Sequence, residues 1–360
     1  MTDASKIDTT LNEVLKTTPS GDVDRAIGAT FYGINHRQQP NPVPINRDMI
    51  GLTFFTRPQL NLSRENVRAE RSLIPLLTNA GSTIPNMVRH YLDPRLSVDD
   101  LTSNCPMVDN QNPFIPLLTN HMLSCTGWPD PMLDVYTSKP GVYKEVFQFV
   151  DSAPNDKQSF SLSLSFRNME GDPITELFRV WYTYMHSVFR GTMVPYPDFM
   201  ILNEIDYQTR VYRLILDKNR NTVQKIGCCG VAFPVTLPLG AAFNVGDVQK
   251  PLTGENDQIS MQLNAVGFRY QDDLVLHDFN DAVGIFNPAM RSKYFVRDKN
   301  GITRNMFMQK IPPEALFLFN NSGYPRIDPY ARTLDWYAPI GLYAQVINNY
   351  NRHIAALKPL

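Results

Sequence analysis

Phe160, Leu162, Leu164 and Phe166 alternate with Ser159, Ser161, Ser163 and Ser165 without a break. A period of two marks a strand with one buried face, so the segment predicts a strand whose serines face out or across a subunit boundary. A second alternation sets Ile259, Met261, Leu263 and Ala265 against Ser260, Gln262 and Asn264, and runs on towards Phe268, Arg269 and Tyr270. Upstream, residues 143–149 alternate only imperfectly. The turn-forming run 151–157, in which Pro154 fixes φ and Asn155 and Asp156 can bond their own backbone, predicts a hairpin joining that stretch to the serine strand.

After the serine strand the period changes. Asp172 stands where an N-cap is wanted, Pro173 suits a first helical position that needs no N–H, and Leu177, Trp181, Tyr184 and Val188 recur at helical spacing before Gly191. One amphipathic helix of about four turns follows, with Trp181 and Tyr184 on its buried stripe and Tyr182 facing out. Strand character then returns in residues 206–216. Residues 217–221 are turn chemistry and 222–226 the returning strand. Residues 231–238 read as a long connection to the second alternating strand. Strand pair, helix, strand pair, crossing segment and last strand together predict an α+β sandwich or barrel.

The flanks have a different texture. Ile7, Leu11, Val14 and Leu15 fall at helical spacing in residues 5–16 and predict a short docking helix, followed by a Gly- and Pro-punctuated connector over 18–44. Ser63 is placed to cap a helix running to Arg71. The hexapeptide IPLLTN occurs at 74–79 and again at 115–120, too short a match to establish duplication. Beyond Phe279, proline-bounded extended segments lead to a terminal amphipathic helix from Gly341 to Leu357. The expected division is an N-terminal extension at 1–132, a central domain at 133–280 and a C-terminal extension at 281–360.

The central order carries a resemblance. The runs YKEVFQFV, SFSLSLSFRNMEGDPITELFRVWYTYM, PDFMILNEIDYQTRVYRLILDKNRNTV, AFPVTLP and ENDQISMQLNAVGFRYQDD resemble the tail-tube fold of contractile bacteriophages and related injection machines. That family has a helix between strand pairs, an Asp-rich hairpin turn, an Ala-Phe-Pro segment crossing to the next position and a closing strand after an acidic Asp-x-Ile. The resemblance covers roughly the middle two-fifths of the chain and rests on order. It implies a tail-tube-like β-sandwich or barrel with one helix between strand pairs, assembled as a ring, usually of six copies, around a lumen through which DNA passes without specific binding. It also implies a virion tail component assembled in the host cytoplasm. The large flanks suit a subunit that also meets baseplate or neck proteins. The alternatives are the main tube subunit itself, or a capsid or decoration shell protein of another fold. A jelly roll needs eight strands in two sheets and no long helix between strand pairs, and the predicted helix at 172–190 speaks against it.

Composition narrows the chemistry. The 360 residues hold 34 Lys and Arg against 35 Asp and Glu, a net charge of −1, which argues against a chain that grips nucleic acid by neutralising phosphates. Twenty-eight prolines favour fixed extended connectors over long helices. No apolar run approaches the roughly 20 residues of a membrane span. Cys105, Cys125, Cys228 and Cys229 show no metal spacing with the six histidines, which stand at 36, 90, 121, 186, 277 and 353, and the adjacent pair suits no structural disulfide. Phosphate-loop, dinucleotide and nucleophile-elbow motifs are missing. Asp272, Asp273 and Asp278 near Arg269 form an acidic group that suits a solvated strand end or an ion pair between subunits better than acid–base work. No catalytic residue, cofactor site or metal site is expected, and the chain reads as a non-enzymatic structural protein. A tail-associated hydrolase is the rival class; it needs a cleft with two carboxylates and a perturbed pKa.

Overall fold

The computed structural model describes residues 50–77, 81–96, 105–240, 258–299, 303–319 and 323–357. The helix expected at 5–16 and the connector at 18–44 lie outside them. In chain order the elements are β1 (Ile50–Phe55), α1 (Arg64–Arg68), a 3-10 helix (Arg71–Leu77), α2 (Ile84–Leu92), α3 (Pro116–His121), β2 (Met122–Thr126), β3 (Val135–Thr137) and β4 (Gln148–Val150). Then come β5 (Ser159–Arg167), α4 (Pro173–Phe189), α5 (Pro197–Leu202), β6 (Thr209–Leu216), β7 (Val223–Pro234), β8 (Gln258–Tyr270) and α6 (Asp273–Phe286). The C-terminal part holds β9 (Phe295–Arg297), β10 (Thr303–Asn305), β11 (Met308–Ile311), β12 (Tyr324–Ile327), β13 (Leu334–Pro339) and α7 (Ile340–Leu357).

One antiparallel sheet of six strands, in the order β1-β6-β7-β8-β5-β2, curls into a nearly closed barrel. The fold is α+β, as the sequence predicts. The serine strand β5 pairs with β8 over its full length, Ser161 opposite Asn264 and Ser163 opposite Gln262. This register matches the two alternations face to face, so both apolar rows share one buried side.

Three expectations need correction. The hairpin expected between 143–149 and β5 does not form: β4 pairs with β3, Tyr136 opposite Phe149, while β5 takes β8 and β2 as neighbours. β4 has no matching apolar row to share, and β8 does. The connection expected at 231–238 is largely strand. β7 continues past Gly230 to Pro234, with Ala232 opposite Ala265 and Pro234 opposite Leu263; glycines 227 and 230 make a bulged strand look broken, and proline is tolerated at its end. The helix expected from Ser63 to Arg71 stops at Arg68, and Pro75 sits in the 3-10 segment that follows.

Helix α4 follows the sequence closely. Pro173 opens it, Leu177, Trp181 and Tyr184 are buried, Tyr182 is exposed, and Gly191 with φ +72 turns the chain out. Asp172 occupies the N-cap position but makes no side-chain cap. It takes a left-handed φ of +47, and its carboxylate accepts from Asn168 Nδ2 at 2.6 Å.

The two faces of the sheet are buried at different places. Leu162, Leu164, Phe166, Met261, Leu263 and Ala265 pack with Leu177, Phe178, Trp181 and Tyr184 of α4. Tyr212, Leu214, Leu216, Phe54 and Ile226 belong to a second core, with Val275, Phe279 and Val283 of α6 and Met308, Ile327, Leu334 and Tyr337 of the C-terminal strands. β6 thus gives Tyr212, Leu214 and Leu216 to the second core and Val211, from its other face, to the first. The two IPLLTN copies differ in structure. Ile74 is half-exposed in a 3-10 turn, whereas Ile115 is fully buried before α3.

The outer edge of β1 is partly closed by the chain itself. Ile115 N donates to Phe55 O at 3.0 Å and Arg57 N to Pro113 O at 2.8 Å. Buried Arg57 fixes this segment by donating to the carbonyls of Tyr91, Asn110 and Asn112 at 3.1, 3.3 and 3.2 Å. Burial pulls its pKa down to about 10.

Candidate functional site

On β5 and β8 the side chains opposite the buried rows form a continuous polar surface. Ser161, Ser163 and Ser165 stand across from Asn264, Gln262 and Ser260, and on the other side Ser124 and Thr126 of β2 stand across from Ser165 and Ser163. Thr236 closes the surface: its Oγ1 accepts from Gln262 N at 3.2 Å, while Val235 N donates to Gln262 O at 3.1 Å. A shallow groove of about 290 Å³ runs between these residues. Every side chain of the rows is a hydroxyl or an amide, so the surface offers hydrogen bonds and carries no charge until Arg167 at the end of β5, opposite Gln258.

A second surface was not foreseen. The chain between Pro129 and Gln158 leaves the sheet as an arm built on β3 and β4. Cross-strand bonds hold it, including Ser138 N to Phe147 O at 2.9 Å, Asp151 N to Asp134 O at 3.0 Å and Gly141 N to Glu145 O at 2.9 Å. Its root is anchored where Tyr270 Oη donates to Pro129 O at 2.7 Å and Trp128 packs beside Phe160. Among the described residues its apolar side chains have no core beneath them: Val142 is 94% exposed, Tyr143 92% and Phe147 67%. A two-stranded hairpin is marginal alone in water, and a contiguous exposed apolar patch marks an interaction surface. The imperfect alternation of 143–149 is the one trace of this in the sequence.

The ionisable groups settle into structural roles. Asp272 caps α6 by accepting from Leu274 N at 2.9 Å and pairs with Arg269 at 3.2 Å; Asp273 pairs with Arg332 at 2.8 Å; Asp278 takes both Arg210 and the Tyr212 hydroxyl at 2.5 Å. Each of these carboxylates is thus matched within the chain. Of the three, Asp278 lines a cleft of about 540 Å³ that also holds Arg210, Arg269, His277, Asp281 and Lys157.

The perturbed carboxylates lie elsewhere. Burial raises Asp93 to about 6, and it is walled in by Leu62 N at 2.8 Å, Arg95 N at 3.0 Å and the Tyr196 hydroxyl at 2.9 Å. Burial also raises Asp206, which accepts from the Tyr184 hydroxyl. A cleft with accessible carboxylates and a pair of carboxyl groups with shifted pKa values are both present, but at different places.

Among the described residues, histidines and thiols form no metal-binding group. His90 is fully buried with Nδ1 2.9 Å from Asn86 O, His121 Nδ1 lies 3.0 Å from Leu117 O, and His186 and His277 are exposed. His36 and the side chain of His353 fall outside the described residues. Among the described residues no three His, Cys, Asp or Glu are placed to hold a metal ion, and no helix is long and apolar enough to cross a membrane. All four thiols are free. Burial pushes Cys229 up to about 12 and raises Cys125 and Cys228 as well. Since the thiolate is the reactive form, treatment of the native protein with a chelator and an alkylating agent is expected to leave folding and assembly unchanged, as followed by sedimentation. Loss of assembled material after chelation would reveal a metal site.

The comparisons bear on the fold just described. The family described as "Putative phage tail tube protein" matches residues 2–352. The chain belongs to this family. Among solved structures, the cap of the anti-feeding prophage, a tube-terminating cap, is similar at 12% identity over 44% of this chain and 82% of that one, with a TM-score of 0.27. The sheath–tube complex of an extracellular contractile injection system in the extended state is similar at 14% identity, with the same coverages and a TM-score of 0.25. The sheath/tube terminator of that system gives 11%, covering 44% of this chain and 87% of that one, with a TM-score of 0.24. At these scores the three carry no argument about this tail tube family member beyond the likeness. No curated protein matches the chain.

Proposed function

We propose that this tail tube family member is a non-enzymatic ring subunit, with six copies surrounding a lumen that DNA traverses, and that it sits at the baseplate or neck end of a phage tail assembled in the host cytoplasm. The observation that carries the reading is the uncharged polar face of β5, β8 and β2. A wall of hydroxyls and amides hydrates a passing polyanion without capturing it, because electrostatic attraction to phosphate needs Lys or Arg. Two further features support a ring. Among the described residues β2 is an open sheet edge, and closed symmetry is the arrangement that pairs every such edge. The apolar arm, for its part, requires a neighbour to cover it. β1 and β2 of the sheet come from the N-terminal flank, and on this reading the rest of its described residues and those after 280 meet partners other than copies of the chain itself. Against catalysis stand the pairing of Asp272, Asp273 and Asp278 with cations and the enclosure of Asp93.

The test replaces Ser161, Ser163, Gln262 and Asn264 by lysine. Ser161, Ser163 and Gln262 are exposed and Asn264 is half-buried, so the subunit is expected to stay folded. The assembled rings are then expected to retain DNA, and to release it as salt rises. Rings that form and retain no DNA would place this face away from the lumen.

A further inference from the structure

The near-neutral charge of the chain hides an asymmetry. Residues 288–357 hold nine Lys and Arg against four Asp and Glu, in a chain with 34 against 35. Every one of the nine except Arg326 is exposed. Four of them, Lys293, Arg297, Lys299 and Arg304, lie on or beside the ribbon formed by β9 and β10, where Arg297 stands opposite Thr303 and Arg304 opposite Val296.

These cations are interleaved with exposed rings. The Arg297 guanidinium stacks 4.1 Å from the ring centroid of Tyr330, which is 74% exposed. Lys293 Nζ lies 4.9 Å from the ring of Tyr294, and that ring meets the half-exposed Phe307 edge-on at 5.0 Å. Two acids offset part of this charge: Asp298 pairs with Arg304 at 3.8 Å, and Asp328, which accepts from Tyr330 N at 2.8 Å and the Thr303 hydroxyl at 3.0 Å, lies within electrostatic reach of Arg297. Four cations against these two acids leave the ribbon net positive.

We propose that the β9–β10 ribbon and the Tyr330 loop form a binding surface for nucleic acid, with Lys293, Arg297, Lys299 and Arg304 taking phosphates and the tyrosines offering ring faces to bases. An acidic protein surface needs only the charge. The exposed ring beside a cation suits a polymer that presents phosphates and flat bases together, where stacking adds to the electrostatic term. Such a surface holds a strand in place, the opposite of what the uncharged face of β5 and β8 does.

The test uses the purified full-length chain, a short labelled DNA strand and the corresponding duplex, with binding followed by fluorescence anisotropy over a salt series and the assembly state recorded alongside. Binding is expected to weaken linearly in log–log form. R297S together with R304S should flatten the slope by about 1.4 for a single strand or about 1.8 for a duplex, since each phosphate contact contributes about 0.7 or 0.9. Tyr330→Ser should weaken the single strand and spare the duplex if bases stack there; equal weakening of both assigns the patch to the phosphate backbone of either form. Substituted chains must melt like the parent. Absence of salt-dependent binding in the parent, or slopes unmoved by the arginine substitutions, would overturn the proposal. Displacement of DNA by poly-glutamate at matched charge would overturn it in favour of an acidic protein partner. None of these outcomes depends on ring formation, so the lumen reading can fail while this one stands, and the reverse.

Discussion

Trp181→Ala is expected to lower the unfolding free energy by about 3–5 kcal/mol, the range for a large aromatic removed from a core. The ring is 1% exposed, lies nearly parallel to Phe178 with centroids 6.2 Å apart, and packs in the core beneath β5 and β8. Its Nε1 donates to Tyr207 O at 2.9 Å. Truncation therefore opens a cavity and also strands a carbonyl acceptor. Trp181→Phe separates the two effects, since it keeps most of the packing and loses the hydrogen bond, for which a cost of about 1–3 kcal/mol is expected. Denaturant unfolding followed by circular dichroism measures both variants. A Trp181→Ala variant with the parent's midpoint would contradict the placement of α4 over the sheet.

The arm gives the opposite signature. Val142→Ser, Tyr143→Ser and Phe147→Ser in combination are expected to leave the monomer's stability within about 0.5 kcal/mol per site, because these side chains touch little in the isolated subunit. Assembly is expected to be lost, because the same side chains are the apolar area a neighbour would cover. Sedimentation velocity separates the two: a folded variant that stays monomeric at concentrations where the parent assembles supports the arm as a contact between copies. A variant that assembles like the parent would exclude it.

How much of this was legible in the sequence depends on how locally each feature is determined. β5, β8 and α4 could be read because each carries its own periodicity, with the buried row of one strand matching that of its partner. The partner of β4 could not be read. Pairing is a long-range choice, and the turn chemistry of 151–157 suits a hairpin whether or not the strand before it has a face to bury. β7 was cut short because glycines 227 and 230 mimic a break, whereas in the sheet the strand runs through both in unbroken register with β8, and its register shifts only against β6, as between Thr209 and Val211. At the candidate site, the uncharged rows were visible as alternating Ser, Gln and Asn. The arm's exposure was not, because Tyr143, Phe147 and Phe149 have the composition of a core strand, and only the absence of a partner layer leaves them outside. The basic ribbon was concealed by arithmetic, since an excess confined to residues 288–357 vanishes in a total of 34 against 35.

The central claim is that copies of this chain close into rings around a channel. Negative-stain electron microscopy of the purified protein at assembly concentration tests it directly. Rings or short stacked tubes with a central hole are the predicted result; closed shells, or monodisperse single particles at every concentration, would contradict it.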